Sequence, residues 1–325
     1  MGHESPVTSH QSLRDALRDA IAHLESASVP SAPLAAELLL MHTLGRDRAW
    51  LYAHSEQELD ATTREKYFSL IERRAGGVPT QHLTGHQEFW GLDFEVTSDV
   101  LIPRPETEHL IEVTLQRLGV ASGGSPGPRE TEFNIADVGT GSGCIAIALA
   151  HDLPNALFVA TDISVPALEV ARRNAARNGV DARIEFVECN LLDALLCQSS
   201  FVPAQDKPST SQPSHPLRTG ESRLFDAFVS NPPYIARSEA ATLAREVREH
   251  EPESALFGGE TGPEMYAPLI VQAAMLLKPG GILVLELGYN SAEHVSRLLD
   301  TPEWSDIAIT DDLAGIQRVA SARRA

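Results

Sequence analysis

The chain has 325 residues, 42% of them hydrophobic, and its 45 acidic against 26 basic side chains give a formal net charge of −19 at pH 7. That length suits two domains, and that charge argues against DNA or RNA as a direct partner, because nucleic-acid affinity draws on cationic groups at the phosphates. No apolar run approaches the length of a bilayer crossing, so no membrane segment is expected.

In chain order, Met1-Gly2-His3-Glu4-Ser5-Pro6 lacks the basic and apolar regions of a signal peptide. Ser12-Leu13-Arg14-Asp15 reads as a helix start with an acid at its third position. Leu13, Leu17, Ile21 and Leu24 then recur at helical spacing. A second helix is predicted over Leu34–Leu44 with Gly45 as its stop, and a third over Asp60–Arg74. These helices form a small bundle, residues 1–78, that carries no chemical motif and serves as a packing module, a docking surface, or both. Leu83–Val96 alternates around Trp90-Gly91 and reads as a β-hairpin in which Phe89 and Trp90 are buried or, in the other reading, line the substrate channel. With the rigid Pro103–Glu108 segment, where Arg104 and Glu106 are expected to pair, it makes a linker over 79–110. Ala121–Pro128 is a loop by composition, and residues 198–223, rich in Ser, Pro, Gln and Thr, are expected to be a disordered insert.

Residues 111–325 carry the chemistry. Asn134–Val138 is an apolar strand that runs into Gly139-Thr140-Gly141-Ser142-Gly143, and Cys144–Ala150 is a packed helix. Strand, glycine-rich turn and helix make the nucleotide-binding arrangement of a doubly wound α/β sheet. The spacing departs from the dinucleotide fingerprint, and no lysine follows to hold a phosphate. S-adenosyl-L-methionine carries no phosphate and needs none. The next strand, Leu157–Thr161, ends at Asp162, whose carboxylate can accept both ribose hydroxyls; capping the helix over Pro166–Asn178 is its other use, which Ser164 can fill. A third strand, Ile184–Val187, leads to Asn190, which can bond the adenine edge or be a plain turn residue.

A fourth strand, Phe225–Ser230, stops at Asn231-Pro232-Pro233-Tyr234, because two prolines cannot donate to a ladder. Asn-Pro-Pro is ordinary turn chemistry, yet it also leaves two fixed acceptors, the Asn231 side-chain oxygen and the Pro232 carbonyl, beside the flat ring of Tyr234. Two acceptors suit the two hydrogens of an –NH2 group, and an aromatic face suits the planar group that bears it. Further on, Glu239–Val247 and Tyr266–Leu277 read as helices, the latter ended by Lys278-Pro279-Gly280-Gly281, and Ile282–Leu287 as a buried strand. The three cysteines, Cys144, Cys189 and Cys197, lack C-x-x-C spacing and point to free thiols in a cytoplasmic protein; the twelve histidines show no ligand spacing, so no metal is expected.

The glycine turn, the acid ending the second strand and the Asn-Pro-Pro-Tyr ending the fourth resemble a class I S-adenosylmethionine-dependent amino-methyltransferase. Gln81-His82-Leu83-Thr84-Gly85 with Glu88-Phe89-Trp90, Leu101-Ile102-Pro103-Arg104-Pro105-Glu106-Thr107-Glu108, and Glu251–Gly259 narrow the resemblance to the HemK/PrmC glutamine methyltransferases, in order from about Leu13 to the end. It implies a seven-stranded Rossmann-like sheet closed by an antiparallel pair over Asp306–Thr310 and Gln317–Ala322. It also implies catalysis at Asn231, Pro232 and Tyr234, a substrate site over Asn231–Tyr234, and a cofactor site at the Gly139–Gly143 turn, Asp162, Asn190, Leu191 and Asn231. The family methylates the glutamine of the Gly-Gly-Gln motif in class I peptide chain release factors, and a monomer is expected. Asn190-Leu191 stands where relatives often carry an acid and an aromatic, and Asp312–Gly315 is looser than the usual glycine-rich turn. Rival expectations are a ribosomal-protein glutamine methyltransferase, a DNA or RNA adenine methyltransferase, and a non-catalytic scaffold on the same fold.

Overall fold

A computed structural model describes residues 11–120, 132–199 and 224–325. The first six residues, the loop after Val120 and all but the first residues of the 198–223 insert lie outside them. The chain divides into two compact units, Met1–Gly85 with Ala244–His250, and His86–Leu243 with Glu251–Ala325.

In the first unit, helix α1 spans Leu13–Ser26, capped by Ser12 Oγ, which accepts from Asp15 N at 3.1 Å. Helix α2, Ala32–Leu44, ends at Gly45 with φ +61°, and α4, Ala61–Ala75, starts at the Asp60 cap. A short α3, Arg48–Ala53, lies between them. Their apolar faces meet in one core that includes Leu24, Leu39, Tyr67 and Ile71, all fully buried. The helical segment Arg245–His250 belongs to this unit through Glu246, whose carboxylate pairs with the buried Arg74 at 2.5 Å. One helix over Glu239–Val247 was expected. The structure has a 3-10 turn, Arg237–Thr242, and then Arg245–His250, broken by the extended backbone of Leu243 (ψ 146°).

The second unit opens with the hairpin His86–Phe89 and Leu92–Glu95, turned by Trp90 and Gly91 at φ +55° and +70°. Phe89 is 1% exposed, whereas Trp90 is half-buried with its indole N–H donating to Asp152. Helix α6, Glu108–Arg117, follows a short helical turn, Thr80–Thr84 (α5), in the preceding unit. Seven strands then form the sheet: β1 Asn134–Val138, β2 Leu157–Asp162, β3 Ile184–Glu188, β4 Phe225–Ser230, β5 Leu277–Glu286, β6 Trp304–Asp311 and β7 Gln317–Arg324, in spatial order 3-2-1-4-5-7-6. Strands β1 to β5 are parallel, while β7 runs antiparallel to both β5 and β6. The central strands are mainly apolar because both faces are covered. Ala227, Val229, Ile282 and Val284 join the core on one face, and Phe228, Leu283 and Leu285 the core on the other. Lys278–Gly281, read as a helix stop, lies inside β5, whose pairing with β4 shifts register between Leu277 and Ile282. No described helix is long and apolar enough to cross a membrane.

Strand order reverses between β1 and β4, and in such sheets the crevice at the carboxyl ends of the strands at this switch point takes the ligand. Ser230 Oγ donates to the Val138 carbonyl at 2.6 Å and ties those two strand ends together.

Candidate active site

A cleft opens at that switch point, within the second unit. Its floor is the turn from β1 into helix α7, Cys144–Asp152. Gly139 and Gly141 sit at φ +73° and +54°, and a Cβ on either would meet nothing within 4 Å, so a ligand can approach the bare backbone there. Gly143 serves packing instead: its Cβ would lie 2.9 Å from Ile147 Cδ1 and 3.1 Å from Ala171 Cβ, on helix α8, Val165–Arg177. Thr140 and Ser142 are buried and do not line the cleft. Thr140 Oγ1 donates to Asp137 at 2.6 Å, and the Ser142 carbonyl accepts from Asn174 Nδ2 at 2.9 Å. These two residues hold the turn's shape while Gly139 and Gly141 face the space.

Asp162, at the end of β2, accepts from Gly141 N and from Ser164 N, each at 2.9 Å. Burial pushes its carboxyl above the usual carboxylate range, against those two bonds. Helix α8 is capped by Ser164, which accepts from Ala167 N, so Asp162 keeps acceptor capacity toward the cleft that it lines. Asn190 and Leu191 also line it. The Asn190 side chain lies in a turn with Asp193, at 3.4 Å, and the Leu191 carbonyl is engaged by Thr161 Oγ1 at 2.9 Å.

Asn231, Pro232 and Pro233 line the opposite wall. The Asn231 amide nitrogen donates to Thr107 Oγ1 at 3.1 Å, which leaves its Oδ1 for a donor in the cleft. Tyr234 turns the other way: it does not line the cleft, its ring lies against the Gly288 backbone, and its hydroxyl reaches Glu286 at 3.4 Å. Behind the motif, Ile235–Ala236 pairs with Phe257–Gly259, and a Cβ on Gly258 would fall 2.3 Å from the Pro233 carbonyl oxygen. Only glycine lets that segment back the proline turn.

Sequence reasoning missed several participants. Asp137 is fully buried in β1; desolvation pushes its carboxyl up to about 7, and its Oδ1 has no hydrogen-bond partner among the described residues. A carboxylate inside an apolar strand was the available signal. Glu286 gave the same signal inside the apolar run Ile282–Leu287, and Thr107 and Ser254 sit in the stretches that carry the family resemblance, whereas Asp99 and Met265 on the cleft wall carried no comparable sign. Arg104 pairs with Glu251 at 2.6 Å, not with Glu106: residues two apart on the turn Pro105–Thr107 do not face each other, whereas Glu251 lies across from it with its side chain 1% exposed. The three cysteines are free thiols.

Two carboxylates, Asp99 and Asp162, line the cleft together with amide, hydroxyl and apolar groups, and among its described residues there is no lysine, arginine or histidine. That donor set fits a nucleoside that carries no phosphate and bears positive charge, and the open space over Gly139 and Gly141 gives it a bed. Residues 15–85 match a family model described as PrmC N-terminal domain, and residues 130–206 one described as Methyltransferase domain. A release factor glutamine methyltransferase of Koribacter versatilis is 42% identical over 312 residues, 96% of this chain and 98% of that protein. Proteins of the same description from Moorella thermoacetica and Nitratidesulfovibrio vulgaris are 42% and 37% identical over 313 and 320 residues, covering 96% and 98% of this chain and 98% and 97% of theirs. With such likeness from end to end, the chain belongs to the release factor glutamine methyltransferase family.

Proposed function

We propose that this protein transfers a methyl group from S-adenosyl-L-methionine to the side-chain amide nitrogen of the glutamine in the Gly-Gly-Gln motif of class I peptide chain release factors, in support of translation termination. The observation that carries this reading is Asn231, with its amide nitrogen committed to Thr107 and its Oδ1 left to accept from an –NH2 group at the cleft wall. When bound, the cofactor supplies an electrophilic methyl on a sulfonium. Gly139 and Gly141 take its amino-acid end, Asp162 its ribose, and Asn190 and Leu191 border its adenine.

An amide nitrogen is a poor nucleophile because its lone pair is delocalised into the carbonyl, and the carboxylates of the cleft are far too weak to deprotonate it. Asn231 Oδ1 and the Pro232 carbonyl accept the two N–H groups, hold the nitrogen in line with the methyl, and stabilise the positive charge that grows as the N–C bond forms and the C–S bond breaks. The nitrogen, positively charged and strongly acidic once methylated, then gives one proton to water, which leaves a neutral N-methyl amide. Pro233 keeps the turn rigid, and Tyr234 anchors it from behind.

In this reading residues 1–78 dock the release factor, 79–110 link, and 111–325 catalyse. The acidic chain and the absence of cations on the cleft wall weigh against a nucleic-acid substrate. In this reading the protein acts as a cytoplasmic monomer. The test offers labelled S-adenosyl-L-methionine with a release factor, its Gly-Gly-Gln glutamine variant, a ribosomal-protein fraction and duplex DNA. Label on the release factor that is lost in the variant is expected; label on ribosomal protein or DNA alone would overturn the substrate.

A further inference from the structure

Thr107 and Glu286 are 179 residues apart in sequence and meet behind Asn231. Glu286, the last residue of β5, is 1% exposed. Its Oε2 accepts from the Thr107 hydroxyl at 2.7 Å and its Oε1 from the Tyr234 hydroxyl at 3.4 Å. Thr107, itself buried, accepts from Asn231 Nδ2 at 3.1 Å. A hydroxyl has one hydrogen. While Thr107 gives it to Glu286, it can only accept from Asn231, and an amide that donates to Thr107 must present its oxygen on the other side.

We infer that Glu286, through Thr107, sets the polarity of Asn231: the ionised carboxylate makes Asn231 an acceptor toward the cleft, and the protonated acid makes it a donor. In the second state the acid O–H donates to Thr107 Oγ1, the threonine hydrogen turns to Asn231 Oδ1, and the amide flips to present its NH2 to the cleft. Two N–H groups would then face each other if the substrate is an amide, a consequence that rests on the function proposed above. Glu286 and Thr107 are thus positioning residues, acting through Asn231.

The surroundings put the switch within reach. Besides Thr107 and Tyr234, Tyr266 donates its hydroxyl to the Glu286 backbone carbonyl at 3.0 Å. Arg318 of β7 favours the ionised acid and is itself held by Asp312 at 3.1 Å, whereas Glu106 opposes ionisation and Cys144 at the start of α7 lies close enough to feel the charge. Burial outweighs them all and pushes the Glu286 carboxyl up to about 7.

The experiment has two arms on the full chain. In the first, the side-chain amide of Asn231 is followed by 1H–15N NMR across pH 5.5–8.5 in wild type, Glu286→Gln and Thr107→Val. The wild-type signal is expected to titrate with a midpoint near 7, and the variant signals to stay flat. In the second, kcat on the release factor should fall below that pH in wild type. It should drop about 10- to 100-fold in Glu286→Gln and Thr107→Val, with the acid limb gone and cofactor Kd unchanged, and return in Thr107→Ser. A wild-type amide that does not titrate, or one that titrates equally in Glu286→Gln, overturns the inference. A titrating amide without methyl transfer to any release factor overturns the substrate instead and leaves the switch standing.

Discussion

Removing the Asp162 carboxylate separates cofactor binding from everything else in the site. Two ribose hydroxyls donating to one ionised acceptor are worth about 1.5–3 kcal/mol each. Asp162→Asn keeps one oxygen, loses the charge and sets an NH2 group against the N–H of Gly141 or Ser164, both of which donate to the carboxylate at 2.9 Å. A loss of about 2–3 kcal/mol, roughly 30- to 150-fold in Kd, is expected. Asp162→Ala loses both hydroxyl contacts and should cost about 10²- to 10⁴-fold. It also strands the Gly141 N–H, so thermal unfolding of the cofactor-free variant must accompany the binding data. Titration calorimetry with S-adenosyl-L-methionine is the assay. Because burial raises the carboxyl's proton affinity, wild-type cofactor affinity should weaken as pH falls through the raised value, since protonation removes an acceptor. Binding within about twofold of wild type in both variants would refute the ribose assignment.

Asn231→Ala should lower turnover by about 10²-fold or more with cofactor affinity nearly intact; near-normal turnover would remove Asn231 from the chemistry. Gly258→Ala should also abolish most turnover, because a Cβ at 2.3 Å from the Pro233 oxygen cannot be housed without moving the proline turn. A variant as active and as stable as wild type would contradict that packing. Stability should respond to pH through the two buried acids. Asp137 and Glu286 bind protons more tightly folded than unfolded, with folded values raised to about 7 from 3.8 and 4.5. Each therefore costs nothing below the unfolded value, and its destabilisation grows as pH rises, reaching up to about 4 kcal/mol for Asp137 and about 3 kcal/mol for Glu286 above the folded value. Urea unfolding at pH 5.5 and 8 should show Asp137→Asn and Glu286→Gln gaining on wild type at the higher pH; a wild-type to variant difference that ignores pH would refute the assignment.

The sheet was legible because its central strands are covered on both faces and so read as apolar runs, each ended by a recognisable turn. Ser12, Gly45 and Asp60 likewise announced helix ends, each by a cap that forms locally. The segment after Asn-Pro-Pro-Tyr was misread because Arg237–His250 has no apolar stripe, and its second half is fixed by the Arg74–Glu246 pair rather than by its own periodicity. Lys-Pro-Gly-Gly carried the chemistry of a helix stop, yet β5 begins at Leu277 and absorbs it as a register shift. At the site, Gly139, Gly141, Asp162, Asn190 and Asn231 lie at or just after the ends of sheet strands, which sequence shows. Thr107 and Glu286 lie behind them, joined only by the fold, and no spacing rule reaches across 179 residues.

The assignment of Ala244–His250 to the N-terminal unit has a topological cost. The backbone passes from one unit to the other after Gly85, after Leu243 and again after His250, so the two are laced together and not strung in series. No single cut separates the two units: trimming the chain at Gly85 takes Arg74 away and leaves the turn Arg245–His250, which begins eleven residues after Tyr234, without the Arg74–Glu246 pair. The stretch of chain that leaves Tyr234 therefore enters the N-terminal unit at Ala244 and returns from it before Glu251.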